Sequence, residues 1–162
     1  MNKTFLYLFA ILILLFTSFY LVRKVKKNRI PQINLSALAI KGLDGTAINA
    51  ESLKGKPLVI NFWGTWCGPC RQEMRGFEDV HLKYAEKVNF VMVSDEPVDK
   101  LLKFKAANNY TLLYAQSLKP FQELGITSVP FTYIYDATGM LVYKKKDVLS
   151  EEELEKVIES IR

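Results

Sequence analysis

Residues 58–84 read LVINFWGTWCGPCRQEMRGFEDVHLKY, and this segment is the most informative part of the chain about its fold. Its first part, Leu58–Trp63, is a short apolar run of β-favouring residues, typical of a strand buried on both faces. From Met74 onward, apolar residues recur every three or four positions, which predicts a helix with one apolar face. A Cys-Gly-Pro-Cys sequence, residues 67–70, lies between these elements. The pattern therefore places two thiols at the start of a helix that follows a buried strand.

This position gives the two thiols a specific chemistry. The start of a helix offers unpaired N–H groups and the positive end of the helix dipole, and both lower the pKa of a Cys placed there. Pro69 is tolerated because the N–H groups of the first turn have no partner within the helix. We therefore predict a redox-active pair, in which Cys67 is the exposed, reactive thiol and Cys70 the second.

Three other uses of the Cys pair fit the sequence less well. A structural zinc site takes four ligands, but the chain has only two Cys and one His. Covalent haem attachment requires a His directly after the second Cys, and residue 71 is Arg. A merely structural disulfide does not require the strand–turn–helix setting. We predict no metal and no cofactor beyond the Cys67–Cys70 disulfide itself.

The rest of the folded part alternates strands with helices and closes with a hairpin, which predicts an α/β fold with a mixed central sheet flanked by helices. Ser150 and Glu153 have the spacing of a capping box at the start of a final helix. Further strands are predicted at Ile33–Ile40, Val88–Ser94, Thr111–Tyr114, Phe131–Tyr135 and Met140–Lys145, and a further helix at Pro97–Ala107.

The Cys pair carries a family resemblance. Residues 66–70, WCGPC, are identical to the active-site motif of thioredoxins, and residues 61–73, NFWGTWCGPCRQE, resemble the membrane-anchored TlpA/ResA-type thiol–disulfide oxidoreductases. The resemblance covers about residues 33–161. It implies a thioredoxin-like three-layer sandwich over residues 33–162 and an enzyme that exchanges thiols with disulfides.

The resemblance also implies roles for particular residues. In this superfamily the proline that matches Pro130 follows a cis peptide bond and packs beside the disulfide. Its missing N–H leaves the backbone of Val129 to pair with an extended substrate. Three residues around the Cys pair complete the predicted substrate-binding surface: Trp66, Gly68 and Pro69.

The acidic group near the Cys pair departs from soluble thioredoxins. Those proteins carry a buried Asp at the position of Asn61, and an amide cannot act as a base. The ResA-type pattern instead has a Glu three residues after the second Cys, and Glu73 matches it. Cys70 and Glu73 share one helix face. We predict that Glu73 is catalytic through the deprotonation of Cys70; a solvated first-turn Glu is the alternative.

An uncharged apolar segment, residues 4–22, precedes the folded part. As a helix it spans about 28 Å, close to the hydrocarbon core of a bilayer. Basic residues follow it at once, without a small-residue cleavage site typical of a signal peptide. We therefore predict a single uncleaved transmembrane anchor over residues 4–22 and a basic juxtamembrane linker over residues 23–32.

The charge of the chain is concentrated around this segment. Of 22 Lys and Arg, six lie in residues 1–29, which hold none of the 17 Asp and Glu. The remainder is nearly neutral, which argues against a nucleic-acid partner. The flanking charges alone favour a cytoplasmic catalytic domain. The family resemblance implies the outer face of the membrane, and we expect that side.

The predicted function is that of a membrane-anchored disulfide reductase. Its partners are disulfide-bearing substrate proteins, membrane lipid around the anchor and a separate membrane or envelope thiol protein as electron donor. The sequence is compatible with three kinds of substrate: apocytochrome c, another envelope protein and a general disulfide pool. A thiol peroxidase and a copper-binding chaperone of similar fold are the alternatives, separable by peroxide consumption and metal titration.

Overall fold

The structure is a computed structural model that describes residues 7, 9, 11–20 and 32–161. The chain divides into two units, residues 1–30 and residues 31–162. The described residues of the first unit are helical. Within the described part of the chain, no helix is both long and apolar enough to cross a bilayer. The predicted anchor over 4–22 and linker over 23–32 include positions outside the described residues, and both stay predictions.

The second unit is built on one mixed sheet, as predicted. Its strands are β1 (Ala39–Gly42), β2 (Ala47–Asn49), β3 (Leu58–Phe62), β4 (Asn89–Ser94), β5 (Leu113–Ser117), β6 (Phe131–Tyr135) and β7 (Leu141–Lys146). Their spatial order is β2-β1-β5-β4-β3-β6-β7. Strand β3 pairs in parallel with β4 and antiparallel with β6, and its residues are buried throughout. The strand that leads to the Cys pair is therefore fixed on both edges.

Three α-helices pack on one face of this sheet: α1 (Gly68–Tyr84), α2 (Val98–Asn108) and α3 (Glu151–Ser160). Met74, Leu101 and Leu154, one from each helix, lie in a single buried cluster. Val59 and Ile134 bring the sheet into the same cluster. Burial of this apolar surface is the main stabilising contribution and fixes α1 against β3.

The opposite face of the sheet is covered differently from the prediction of flanking helices. Short 3-10 segments pack there, among them Leu35–Ala37 and Phe121–Leu124. The rings of Phe62 and Phe121 meet edge to face at 5.5 Å. The Tyr135 hydroxyl donates a 2.8 Å hydrogen bond to the Ile33 carbonyl oxygen. The thioredoxin-like α/β arrangement is confirmed, with 3-10 segments in place of α-helices as the layer described on this face.

Two predicted strands differ in the structure. Residues 35–37 form a 3-10 turn, and the strand predicted at Ile33–Ile40 begins only at Ala39. The cause is local, because the Asn34 side chain accepts a hydrogen bond from the Ser36 N–H at 3.2 Å and competes with extended backbone. Strand β5 begins at Leu113 rather than Thr111, because both polar groups of Thr111 bind the Glu78 carboxylate.

The predicted capping box of α3 forms only in one half. Ser150 Oγ accepts a hydrogen bond from the Glu153 N–H at 3.2 Å, so the predicted start of the helix is confirmed. The Glu153 side chain does not return to the cap. It binds the Tyr143 hydroxyl at 2.5 Å and the Lys145 ammonium instead, and these contacts tie α3 to β7.

Candidate active site: a disulfide at the start of α1

A tight turn leads from β3 into α1. The Trp63 N–H still bonds the Val93 carbonyl oxygen of β4 at 3.0 Å, and the Cys67 N–H closes the turn on the Gly64 carbonyl oxygen at 3.0 Å. Gly64 leaves room for the Trp66 ring, because a Cβ atom at this position would lie 2.7 Å from Trp66 Nε1 and the ring would have to move. The turn thus places Cys67 at the N-cap of the helix, shortly after the end of the buried strand β3.

Cys67 and Cys70 form a disulfide, with an S–S distance of 2.04 Å and a Cα–Cα distance of 5.3 Å. Cys67 is the N-cap of α1, and its Sγ accepts a hydrogen bond from the Cys70 N–H at 3.2 Å. The same N–H group also stabilises the thiolate that forms on reduction. The geometry therefore favours Cys67 as the nucleophilic sulfur.

Solvent exposure differs from the expectation for the first thiol. Cys67 is 4% exposed and Cys70 is 0% exposed. The prediction that Cys67 is exposed is therefore wrong for the disulfide form. The cap position turns the Cys67 sulfur inward, toward the first N–H groups of the helix. Of the two sulfurs, Cys67 is still the one nearer to solvent. Gly68 and Pro69 beside it are half-buried and exposed, respectively.

The loop before β6 lies against this disulfide. The Val129–Pro130 peptide bond is cis, as expected from the resemblance. The Val129 carbonyl oxygen lies 3.8 Å from Cys67 Sγ. A disulfide sulfur carries no proton, so in the oxidised form the two atoms are only in contact. An S–H···O hydrogen bond can form between them only after reduction. Pro130 is buried, and Val129 is half-buried beside the sulfur.

Glu73 lies inside the protein rather than in solvent, at 6% exposure. Its Oε1 accepts a hydrogen bond from Asn61 Nδ2 at 2.9 Å, and its Oε2 accepts one from the Leu149 N–H at 2.8 Å. The surface alternative for Glu73 is therefore wrong. The carboxyl group of this α1 residue is thus bound from β3, by Asn61, and from the segment just before α3, by Leu149.

Burial raises the pKa of the Glu73 carboxyl from 4.5 to about 7. The hydrogen bonds from Leu149 and Asn61 offset part of this rise, while the charges of Asp147 and Lys145 act in opposite directions. Glu73 also lines a surface hollow of about 340 Å³ between α1 and the start of α3. A carboxyl with a pKa near 7 can take up and release a proton at neutral pH.

Asn61 serves as the support of Glu73. Its Nδ2 also donates to the Thr132 hydroxyl at 3.0 Å, across the β3–β6 pairing in which these two residues are partners. Its Oδ1 is buried and lacks a hydrogen-bond partner among the described residues. The sequence shows that Asn61 cannot act as a base, but not that it contacts Glu73.

Three further side chains flank the Cys pair in the sequence: Trp63, Trp66 and His81. Trp63 is fully buried, as expected from the buried apolar run that it ends, whereas Trp66 is 70% exposed and lies over Gly64. His81 is half-buried against the Phe90 ring. It lies 11 residues beyond Cys70, about 16 Å along α1, which is too far to share a metal with the Cys pair.

Glu96 is a residue of the site that sequence patterns missed. Its carboxylate binds the backbone and hydroxyl of Thr65, two residues before Cys67. A signal existed, because Glu96 follows β4 as the Cys-bearing turn follows β3. The carboxyl ends of adjacent parallel strands meet at one edge of a sheet. The residues after β4 could therefore have been expected near the Cys pair.

The sequence profile of the AhpC/TSA family matches residues 27–144. The chain belongs to this family. It is 30% identical to the thiol-disulfide oxidoreductase ResA of Bacillus thuringiensis (strain Al Hakam) over 127 residues, which cover 75% of this chain and 73% of the relative. It is also 30% identical to the thioredoxin-like protein YneN of Bacillus subtilis (strain 168), with coverage of 75% and 74%.

Solved structures agree with this assignment. The MTB protein dsbF, solved in mixed oxidized and reduced forms, superposes with a TM-score of 0.69 and is 27% identical. The match covers 82% of this chain and 100% of that protein. Fold, family and the Cys67–Cys70 disulfide together confirm the predicted thioredoxin-like membership and the enzyme class, thiol–disulfide oxidoreductase.

Proposed function

We propose that the protein is a membrane-anchored reductase of protein disulfides. The observation that carries the proposal is the Cys67 sulfur, which caps α1, accepts the Cys70 N–H at 3.2 Å and lies beside the Val129 carbonyl oxygen. This arrangement combines a stabilised thiolate with an adjacent strip of backbone. Both are needed to hold an extended disulfide-bearing segment in line for attack.

The reaction consists of two exchanges. The Cys67 thiolate attacks one sulfur of the substrate disulfide, forms a mixed disulfide and releases the other substrate sulfur as a thiolate. The Cys70 thiolate then attacks Cys67 Sγ, closes the Cys67–Cys70 disulfide and releases the second substrate thiolate. Two electrons pass to the substrate, and the two protons of the enzyme thiols end on the substrate thiols.

Glu73 accepts the proton of Cys70 in this scheme. The two residues lie on one face of α1, and the pKa of Glu73 is near 7. In its ionised form Glu73 can take the thiol proton when Cys70 must become a nucleophile. The hollow beside Glu73 gives a route by which the proton then leaves to solvent. The measurable consequence is a pH dependence of the second exchange that follows Glu73.

The substrate contacts the surface around Cys67. The exposed rings of Trp66 and Pro69 supply the apolar side of this surface, while Gly68 and Val129 supply backbone. Pro130 has no N–H and therefore adds no donor beside the sulfur. A surface made largely of backbone and two apolar rings suits varied polypeptides around a disulfide.

The direction of the reaction is reductive. The Gly-Pro pair between the two Cys is that of thioredoxin, whose potential is about −270 mV, whereas strong oxidants lie near −120 mV. The chain has only two Cys, so its own re-reduction requires a separate thiol protein. Equilibration with thiol buffers tests this proposal: a potential near −270 mV supports it, and one near −120 mV contradicts it.

Residues 4–22 anchor the catalytic domain, and we place that domain on the outer face of the cytoplasmic membrane. The apolar length and the bases that follow it support an anchor in contact with anionic lipid headgroups. Labelling of reduced Cys67 in intact cells by an impermeant thiol reagent tests the side. Labelling only after lysis would contradict it.

The activity test uses the full-length chain in detergent micelles with a protein disulfide and a thiol donor. Turnover that is lost in Cys67→Ser and in Cys70→Ser supports the reductase. The same preparation is given hydrogen peroxide or Cu(I). Rapid consumption of peroxide without disulfide turnover would identify a thiol peroxidase, and tight Cu(I) binding without turnover would identify a metallochaperone.

A further inference from the structure

We propose that Glu96 is a positioning residue for Cys67, because its carboxylate fixes Thr65 and thereby holds the turn that carries the reactive sulfur. The Thr65 N–H donates a hydrogen bond to Glu96 Oε2 at 2.6 Å. The Thr65 hydroxyl donates a second one to Oε1 at 2.9 Å. Bonds to an ionised acceptor are about twice as strong as those between neutral groups. The inference rests on disulfide exchange at Cys67.

Glu96 is itself held rigidly. It is 8% exposed, and its N–H donates to Ser94 Oγ at 3.3 Å. Its carbonyl oxygen accepts a bond from Gln116 Nε2 at 2.9 Å, and the Lys100 ammonium lies 3.9 Å from Oε1. Backbone and carboxylate are thus both fixed to β4, β5 and α2, so the carboxylate presents Thr65 with a preformed acceptor.

The turn depends on this acceptor at its middle. Its two ends are fixed by the Trp63 N–H on β4 and by the Cys67 N–H on Gly64, and the Thr65 N–H between them is bonded to Glu96. Without the carboxylate, the segment that sets the Cys67 backbone loses its central tie. A shift of about 1 Å in a reacting group can lower a rate about 100-fold.

The chain contains a matched control for this contact. Glu78 is 7% exposed, and its carboxylate accepts the Thr111 N–H at 2.9 Å and the Thr111 hydroxyl at 2.7 Å. It lies eight residues beyond Cys70 in α1, about 12 Å along the helix, and holds the loop before β5. Glu78 and Glu96 therefore make the same kind of contact, but only Glu96 binds the Cys-bearing turn.

The experiment compares E96A, E96Q and E78A in the full-length chain. A Cys70→Ser background leaves one thiol, and two rates are measured across pH: alkylation of Cys67 and formation of its mixed disulfide with a peptide disulfide. E96A is expected to slow mixed-disulfide formation about 10- to 100-fold. E96Q is expected to restore it to within about threefold, because an amide can accept the Thr65 N–H and donate to its hydroxyl oxygen. E78A should stay within about twofold of the parent.

Equal rates for E96A and the parent would overturn the inference, and so would an equal slowing by E78A, which would indicate a general loss of stability. If circular dichroism shows that E96A does not fold, T65V replaces it and T111V is its control. T65V is then expected to be at least about threefold slower than T111V, and equal rates overturn the inference. Absence of exchange in the parent itself would instead defeat the proposed function.

Discussion

Asn61 Nδ2 lies 2.9 Å from Glu73 Oε1, and this buried contact joins the central strand to the helix that begins at the disulfide. The amide holds the carboxyl in place without adding a charge. The acidic group of the site therefore lies on the helix, at Glu73, and not at the strand position of Asn61, where soluble thioredoxins carry a buried Asp. Asn61 and Glu73 are best understood as one unit, in which the amide positions and the carboxyl titrates.

Replacement of Glu73 by Gln should change the pH dependence of stability. The pKa of Glu73 is raised to about 7 in the folded protein, so the folded state holds this proton more tightly than the unfolded state. The stability that this proton contributes is fully present below pH 4.5 and is lost as the pH rises through 7. E73Q does not titrate there. Between pH 4.5 and pH 8 the parent should therefore lose about 3 kcal/mol of unfolding free energy that E73Q does not lose. Denaturant unfolding of the oxidised proteins measures this difference, and a difference constant with pH would contradict it.

Replacement of Asn61 by Asp should have the opposite effect. The change removes the donor at 2.9 Å from Glu73 and puts a second carboxyl in its place. Two carboxyls at this distance retain one shared proton, because its loss would leave two negative charges side by side. We expect N61D to lose roughly 2–4 kcal/mol of stability at pH 8 and much less at pH 5. The same unfolding series measures it, and equal losses at the two pH values would argue against the contact.

Trp66 should contribute to substrate binding but not to thiol reactivity. A Cβ atom at residue 64 would lie 2.7 Å from Trp66 Nε1, so G64A should displace the exposed ring. G64A and W66A should each raise KM for a protein disulfide about three- to tenfold. Because both act through one ring, the double variant should add little. Alkylation of Cys67 by a small reagent serves as the control and should be unchanged; full additivity in KM would contradict the shared cause.

The sequence predicts the parts of the site whose contacts are local. Leu58–Phe62 is recognisable as a buried strand from its own apolar run, and the apolar periodicity from Met74 onward places the Cys67–Cys70 pair at the start of the helix that follows. Contacts between distant residues are a different matter. Leu149 donates to Glu73 across 76 positions, and Glu96 binds Thr65 across 31. No period or motif links such pairs; for Glu96 and Thr65 the one available signal is that each follows a strand of a parallel pair.

The errors in the predicted elements have a similar origin. Side-chain hydrogen bonds displaced the expected strand ends: Asn34 binds the nearby Ser36 N–H before β1, and Thr111 before β5 binds Glu78, 33 residues away in sequence. Glu153 forms only half of its capping box because Tyr143 and Lys145 on β7 bind its carboxylate. In each case a polar side chain found a partner that hydrophobic periodicity does not represent.

In the proposed reaction Cys67 attacks protein disulfides and Cys70 resolves the mixed disulfide. Full-length Cys70→Ser and Cys67→Ser variants are incubated with a protein disulfide, and covalent adducts are identified by non-reducing electrophoresis and mass spectrometry. Because Cys70 is fully buried and the Cys67 sulfur receives the helix N–H, Cys70→Ser should accumulate a mixed disulfide through Cys67 and Cys67→Ser should form almost none. The absence of an adduct with Cys70→Ser, or equal adducts with both variants, would contradict the account.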